Sequence, residues 1–538
     1  MIRQEIAKLV KQAAKEAGFT VPQVVKIDYP ADERYGDYST NFALKTAKTV
    51  KLLPKEIAHN LRSHILNLQP NLFEKIEVAE PGFLNFFVLK EYLQNQIREI
   101  LKQKEKYGNL EIGRKKINIE YCSANPTGPL HLGHGRGAFW GDVLANVLQK
   151  AGHKATREYF INDYGRQVSL LGESINARFL ELLGQKVEIK EEFYQGGYVT
   201  DIAKEIPQKY SKLPETKRIQ TFTEIGFKKM LVEAKKLLEK VGVKYDVWFS
   251  ERSLYKKGLV RKATELLKKK GFTYEKEGAL WFSSAKLGDD KDRVLVKAGG
   301  EPTYFASDIA YHLNKVSRGY DLLINGWGAD HWGYKPRLMA AAKVLGFDEK
   351  LKIIIGQFVR LIEKGREVKM SKRSGTFFAL EDLIGEVSSD VARFFFLMKS
   401  VDTHIDFNLD LAKTQSEKNP VYYVQYAHAR ICSILRKAEV KEVQSLLNLL
   451  DHPSELKLVK QLTRFPEVVE DIAEDYQVQR LPQYAMDLAA VFHQFYRDCR
   501  VISEDKNLSR ARLCLVSATK IVLRNTLSLM GISAPEKM

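Results

Sequence analysis

Two histidines three positions apart, His131 and His134, stand in the run Asn125-Pro126-Thr127-Gly128-Pro129-Leu130-His131-Leu132-Gly133-His134-Gly135. Imidazole N–H groups can donate hydrogen bonds to phosphate oxygens, and Gly133 and Gly135 let backbone come close to a bound group. More than 200 residues later two lysines, Lys369 and Lys372, share the small-residue stretch Lys369-Met370-Ser371-Lys372-Arg373-Ser374-Gly375-Thr376. Lysine is a compact, mobile charge suited to phosphate. Each motif alone has an ordinary reading as well. A His-x-x-His pair could be half of a metal site or two helix-capping side chains, and a basic Ser/Gly loop is commonly a solvated turn.

The elements that must position these groups are legible around them. The apolar run Ile117 to Tyr121 predicts a strand, and apolar residues at 139, 140, 143, 144, 147 and 148 predict a helix over Ala138 to Leu148. The histidines therefore fall where a strand hands over to a helix start, a place whose free N–H groups and dipole favour anions. Between 109 and about 385 strand and helix signals alternate, with strands predicted at 117–121, 156–161, 280–283, 293–297, 321–325 and 352–359. That alternation argues a Rossmann-type parallel α/β sheet, in which ligands bind beyond the C-terminal strand ends. Residues 185–270 interrupt it with Lys-rich helical patterns and are predicted to be a helical insertion. Residues 1–108 predict a small α+β domain. It has a helix over Met1 to Gly18, a loop at Arg34 to Tyr38 opening a helix over Thr40 to Thr49, and strands at 76–79 and 83–88 around Pro81-Gly82. Past about 410 the strand signals stop. Helical periodicity over 422–438, 455–474, 482–502 and 508–530 predicts an all-α bundle. The domains expected are thus 1–108, 109–410 and 411–538.

Strand, His-x-Gly-His, helix and a distant Lys-Met-Ser-Lys together resemble the two signatures of class I aminoacyl-tRNA synthetases, and the flanking residues resemble the arginyl-tRNA synthetase family. Glu120, Ser123, Asn125, His131 and His134 match that family around the first motif. The second motif departs by having Arg373 before Ser374, with both lysines kept. The resemblance implies ATP and L-arginine as substrates, Mg2+ accompanying ATP, and arginine tRNA as partner. It implies catalytic roles for His131, His134, Lys369 and Lys372, and ATP contacts from Gly133, Gly135, Met370, Ser371 and the same basic residues. Tyr304 and Asp308 match a segment whose Tyr and Asp contact the guanidinium, and their spacing puts both on one helical face. Glu251 aligns with a second acid. Asp330, in Gly326-Trp327-Gly328-Ala329-Asp330-His331, would hold the amino group with Asn125 and Ser123, and Glu120 and His131 join the arginine site. Residues 1–108 resemble the family's N-terminal domain, which meets the tRNA elbow. Asn419-Pro420 to Arg430 resembles the start of its DALR anticodon-binding domain, and a monomer is implied.

Composition sets the remaining bounds. With 85 Lys+Arg against 67 Asp+Glu the net charge is +18. Residues 199–270 hold 19 of the basic and 9 of the acidic residues, an excess of 10, which points to a polyanionic partner. Residues 411–538 hold 18 against 15, only +3. No run of about 18 apolar residues occurs, so no membrane-spanning helix is expected. The amino-terminal pattern lacks the apolar stretch and cleavage site of a signal peptide. Cys122, Cys432, Cys499 and Cys514 show no Cys-x-x-Cys, so free thiols in a cytoplasmic protein are expected and no dedicated metal site. A synthetase for another amino acid, a non-catalytic RNA-binding paralogue and a small adenylyltransferase are the rival readings. The absence of zinc ligands, the presence of His134 and Lys372, and the chain length weigh against them in turn.

Overall fold

The computed structural model describes residues 1–368 and 378–538, so Lys369, Met370, Ser371 and Lys372 lie outside the described residues. Five parallel strands form the central sheet in the spatial order Leu351–Gly356, Leu322–Gly328, Lys116–Glu120, Lys154–Ile161, Val247–Ser250. The chain starts in the middle strand, builds outward on one side, then returns to build the other. The strand order therefore reverses between Lys116–Glu120 and Leu322–Gly328, and the crevice at such a switch point is where open α/β sheets bind ligands. The predicted His-x-Gly-His run leaves the sheet at that crevice.

Three strand expectations need correction. Ala279–Phe282 and Arg293–Val296 pair antiparallel, with Thr273–Lys276, in a separate three-stranded sheet. Parallel neighbours need a crossover of a dozen or more residues, and the short Gly288-containing link between these two cannot supply one. The single strand expected over 352–359 is two. Leu351–Gly356 closes the parallel sheet, and Val359–Glu363 pairs with Ile405–Asn408 elsewhere. Finally, Val247–Ser250 is a sheet strand inside the stretch expected as a wholly helical insertion.

The helical excursion leaves the sheet earlier than expected, after Lys154–Ile161. Its helices Arg166–Leu182, Gly197–Glu205 and Glu215–Lys240 carry their own core of Leu171, Ile175, Phe179, Val199, Ile202, Phe222 and Met230. Gly172 lets the first and last of these cross closely, since a side chain there would collide with Thr223. The helix carrying the histidines, Leu132–Lys150, is buried on most sides, and its Gly141 leaves room for the buried Tyr121 ring.

The carboxy-terminal bundle comprises Pro420–Lys437, Pro453–Thr463, Phe465–Asp475, Arg480–Asp498 and Lys506–Leu529. The single helix expected over 455–474 is broken at Arg464, because Pro466 has no N–H and suits only the first turn of a new helix. The amino-terminal domain, with its antiparallel sheet of Tyr38–Thr40, Phe83–Val88 and Phe73–Ala79, docks on this bundle. Glu467 of the bundle is fully buried and accepts hydrogen bonds from the Arg3 N–H at 2.9 Å and the Tyr38 hydroxyl at 3.1 Å. Burial, partly offset by hydrogen bonds from Tyr29 and Arg3, holds the Glu467 carboxyl above its ordinary pKa. Arg3 pairs with Glu470 at 2.5 Å and Asp471 at 2.7 Å, and Lys460 pairs with Asp37 at 2.6 Å.

Candidate active site

The turn leaving the central strand is held in an unusual shape. Cys122 and Ser123 have φ of 65° and 35°, left-handed values that non-glycine residues adopt only when surrounding contacts fix them. The fixing contacts are visible. The Ser123 hydroxyl accepts the Phe160 N–H at 3.0 Å, and the Tyr159 hydroxyl donates to the Ala124 carbonyl at 2.8 Å. Asn125 then donates to Gln167 at 2.7 Å and accepts from Asn162.

His131 and His134 realise the helix-capping reading. The Gly133 N–H donates to His131 Nδ1 at 3.1 Å, and the His131 N–H donates to His134 Nδ1 at 3.2 Å. The two rings stack with centroids 3.6 Å apart. A backbone N–H can only donate, so each Nδ1 is an acceptor and the proton of each neutral ring sits on Nε2. Capping therefore presets both rings as Nε2–H donors at a helix N-terminus. Two residues on, buried Arg136 donates to the carbonyls of Gln357 at 2.8 Å, Ser400 at 2.6 Å and Thr403 at 2.5 Å. Burial lowers its pKa to about 10. It ties the histidine helix to the strand connection that precedes residue 369. On the far side of the second motif, the Leu380 N–H donates to the Leu130 carbonyl at 2.8 Å.

The acids expected to read a guanidinium divide into two groups. Glu251 meets the helix that carries Asp308. The Ser307 hydroxyl donates to Glu251 Oε1 at 2.8 Å, and Asp308 follows Ser307 on the helix Tyr304–Ser317. Glu251 is 1% exposed, and its Oε2 is buried without a hydrogen-bond partner among the described residues. Burial, reinforced by the charges of Asp308 and Asp163, pushes the Glu251 carboxyl up to about 7. Burial and the nearby Glu120 likewise push Asp308 up to about 7, against the Tyr334 hydroxyl that donates to it. Tyr304 opens the same helix, half exposed, with its hydroxyl against Gly165. Two carboxyls raised by burial, one of them with an oxygen that lacks a donor among the described residues, are chemically suited to a cation with several N–H groups.

Glu120 and Asp330 stand differently. Glu120 accepts from the fully buried Lys315 at 2.6 Å, and Lys315 also donates to Asn325 at 3.1 Å. Asn325 donates to His312 Nε2 at 2.6 Å, and His312 Nδ1 donates to the Asp308 carbonyl at 2.7 Å. Burial drives His312 down to about 3, so it is neutral and its tautomer is set by these two bonds. Glu120 thus already has an internal cation, and the chain of contacts ends at the backbone of Asp308. Asp330 is exposed after Leu322–Gly328 and faces His331 at 3.7 Å; no contact joins it to Glu251 or Asp308 among the described residues. Sequence reasoning missed Asp163, Arg252, Ser307, Lys315 and Tyr334. All are common surface-type residues whose part here arises from tertiary contacts alone.

Comparison with known proteins bears on the whole chain. Residues 4–88 match the arginyl tRNA synthetase N-terminal domain, 96–404 the class I (R) tRNA synthetase catalytic domain, and 424–538 the DALR anticodon-binding domain. The chain is 47% identical to an arginine–tRNA ligase of Carboxydothermus hydrogenoformans over all of this chain and 99% of the relative. It is 44% identical to one of Bacillus subtilis over all of this chain and 98% of that protein. The arginyl-tRNA synthetase structure from Thermus thermophilus superposes with a TM-score of 0.80 at 25% identity, covering all of both chains. With its parallel sheet, histidine-capped helix, helical carboxy-terminal bundle and these similarities along its full length, the chain belongs to the arginyl-tRNA synthetase family of class I tRNA synthetases.

Proposed function

We propose that this chain charges arginine tRNA with L-arginine. The arginine carboxylate attacks the α-phosphorus of ATP, pyrophosphate leaves, and the 2′-hydroxyl of the tRNA's terminal adenosine then takes the arginyl group. The observation that carries this reading is Glu251, buried just past the sheet strand Val247–Ser250 and hydrogen-bonded by Ser307, the residue before Asp308. His131 and His134, as Nε2–H donors, meet charge that grows on the phosphate oxygens. Lys369 and Lys372, assigned on sequence, add positive charge there, with Gly133, Gly135, Met370 and Ser371 lining the nucleotide. Ser123, Asn125 and Asp330 serve the α-amino end, and Tyr304 flanks the guanidinium. Glu120, held by Lys315, shapes the arginine site through that pair. Mg2+ would enter on the ATP phosphates. No helix among the described residues is long and apolar enough to cross a membrane, and a monomer in the cytoplasm is the setting proposed. Incubating the chain with ATP, tRNA and each of the twenty amino acids in turn tests the reading, and attachment of any amino acid other than arginine refutes it.

The acid pair makes arginine use pH-dependent. A guanidinium needs an ionised partner, and both carboxyls titrate near 7 through burial. Protons therefore compete with arginine below that pH. The KM for arginine is expected to be flat above about pH 8 and to rise roughly tenfold per unit below 7 as one required carboxylate is lost. The KM for ATP should not follow. A flat arginine KM from pH 6 to 8 would show that neither acid binds the substrate in ionised form.

Two surfaces suit the tRNA. Lys228, Lys236, Lys269 and Lys270 are exposed in the basic stretch and take part in no ion pair among the described residues. Replacing all four with Gln is expected to weaken every tRNA alike and to flatten the salt dependence by about one slope unit per lysine that meets a phosphate. Equal slopes before and after would place this charge in solvent. The bundle offers a different chemistry. The Arg430 guanidinium lies 5.3 Å from the ring centres of both Tyr426 and Tyr496, each more than a third exposed, and His493 stacks beside Tyr426 at 6.1 Å. Aromatic faces and arginine planes are what unstacked RNA bases pack on. Tyr426→Ala should weaken arginine tRNA by about 1–3 kcal/mol with the salt slope unchanged. A change confined to the slope would argue for phosphate contact at this patch instead.

A further inference from the structure

We propose that Arg252 and Asp163 form a clamp that sets the position of the Glu251 carboxylate, making Arg252 a positioning residue for arginine recognition. The inference rests on the reading above that Glu251 meets the guanidinium. Glu251 sits at a junction where the edge strand Val247–Ser250 turns into the short helix Arg252–Lys256. Asp163, from the loop after Lys154–Ile161, grips the residues on both sides of it. Asp163 Oδ1 accepts the Arg252 N–H at 2.7 Å, and Asp163 Oδ2 accepts the Ser250 hydroxyl at 2.6 Å. The grip is returned, because Arg252 Nε and Nη2 donate to the Asp163 carbonyl at 3.2 and 3.0 Å. The Glu251 N–H itself donates to the Ile161 carbonyl at 3.0 Å. The remaining reach of Arg252 Nη2 goes to Glu224 of Glu215–Lys240 at 2.9 Å, an exposed pair that adds little energy but orients the fork.

This wiring has a physical purpose at a buried acid. Glu251 is fully desolvated, and one of its oxygens lacks a donor among the described residues. A carboxylate in that state gains by turning toward water, so only a rigid backbone keeps it aimed inward. The single side-chain bond from Ser307 fixes one oxygen; the clamp fixes the Cα from which the other projects. Arg252 is suited to the task by shape, since its planar fork reaches a carbonyl with two nitrogens at once, which a lysine cannot do.

The test uses the full chain and steady-state aminoacylation, with the KM values for arginine and ATP read separately. Arg252→Ala is expected to raise the arginine KM roughly tenfold or more, as a misplaced recognition group does, while the ATP KM stays within about twofold. Asp163→Ala should do the same, and Arg252→Lys should recover part of the loss through its single donor nitrogen. Should Arg252→Ala fail to give a cooperative thermal unfolding transition, the Asp163→Ala and Arg252→Lys values decide. An unchanged arginine KM in folded variants, or an equal rise in both KM values, overturns the clamp and leaves a merely structural contact. Failure of the unmodified chain to charge arginine would instead remove the underlying functional reading.

Discussion

His134→Ala is expected to slow arginyl-adenylate formation by roughly two to three orders of magnitude, the usual loss when one preset transition-state donor is removed. The measurement is arginine-dependent exchange of pyrophosphate into ATP with tRNA present. The same substitution also deletes the acceptor for the His131 N–H, which the structure shows at 3.2 Å, so the helix Leu132–Lys150 loses part of its cap. Losing a cap costs about 1 kcal/mol, far less than the expected kinetic effect. The two effects can be separated. His134→Asn keeps an oxygen that can accept the N–H and an amide that can donate, so it should restore the stability and part of the rate. A His134→Ala protein that exchanges pyrophosphate at the full rate would remove the phosphate role. One that recovers activity when the temperature is lowered would reduce the histidine to a cap.

What the sequence makes legible follows from how local each signal is. The histidine motif could be placed because strand, turn and helix signals lie side by side within Ile117 to Leu148. The bundle helices were legible from their 3.6-residue periodicity, except at Pro466, whose lack of an N–H divides one expected helix into two. Alternation of strand and helix indicated a parallel sheet, but not membership of it. Ala279–Phe282 and Arg293–Val296 carry ordinary strand composition, and only the short link between them betrays an antiparallel hairpin. Val247–Ser250 was hidden because four residues among lysines give no period. At the site, Glu251 and Asp308 are assigned from resemblance, and the structure adds a bond to Glu251 from Ser307, the neighbour of Asp308. Asp163 and Arg252 were beyond reach. They lie 89 residues apart in sequence, and their pairing exists only once two neighbouring strands are in register. Lys369 and Lys372 remain assignments from sequence.

Asp308→Asn is the sharpest test of which amino acid this site selects. Asp308, on the helix whose Ser307 bonds Glu251, has its own backbone carbonyl held by His312 and a carboxyl oxygen held by Tyr334. The substitution is almost isosteric. Its amide oxygen can still accept the Tyr334 hydroxyl, and the bond from His312 is to backbone, so the fold should not suffer. The Asp308 pKa is raised to about 7, chiefly by burial, so its contribution to stability is full below the unfolded-state value and is lost as pH rises through 7. At pH 8 the carboxylate is a burden to the free protein, and the neutral amide relieves it. Recognition should fail all the same, because a desolvated guanidinium would lose its partner, a loss of about 3–5 kcal/mol. That corresponds to a fall of roughly two to three and a half orders of magnitude in kcat/KM for arginine. The KM for ATP should stay put, since the ATP contacts are proposed for the histidine helix. Loss of function at unchanged or raised thermal stability is the combined outcome expected at pH 8. Normal charging of arginine by Asp308→Asn would shift recognition to Glu251 alone, and equal losses for arginine and ATP would mean that Asp308 shapes the crevice without reading the side chain.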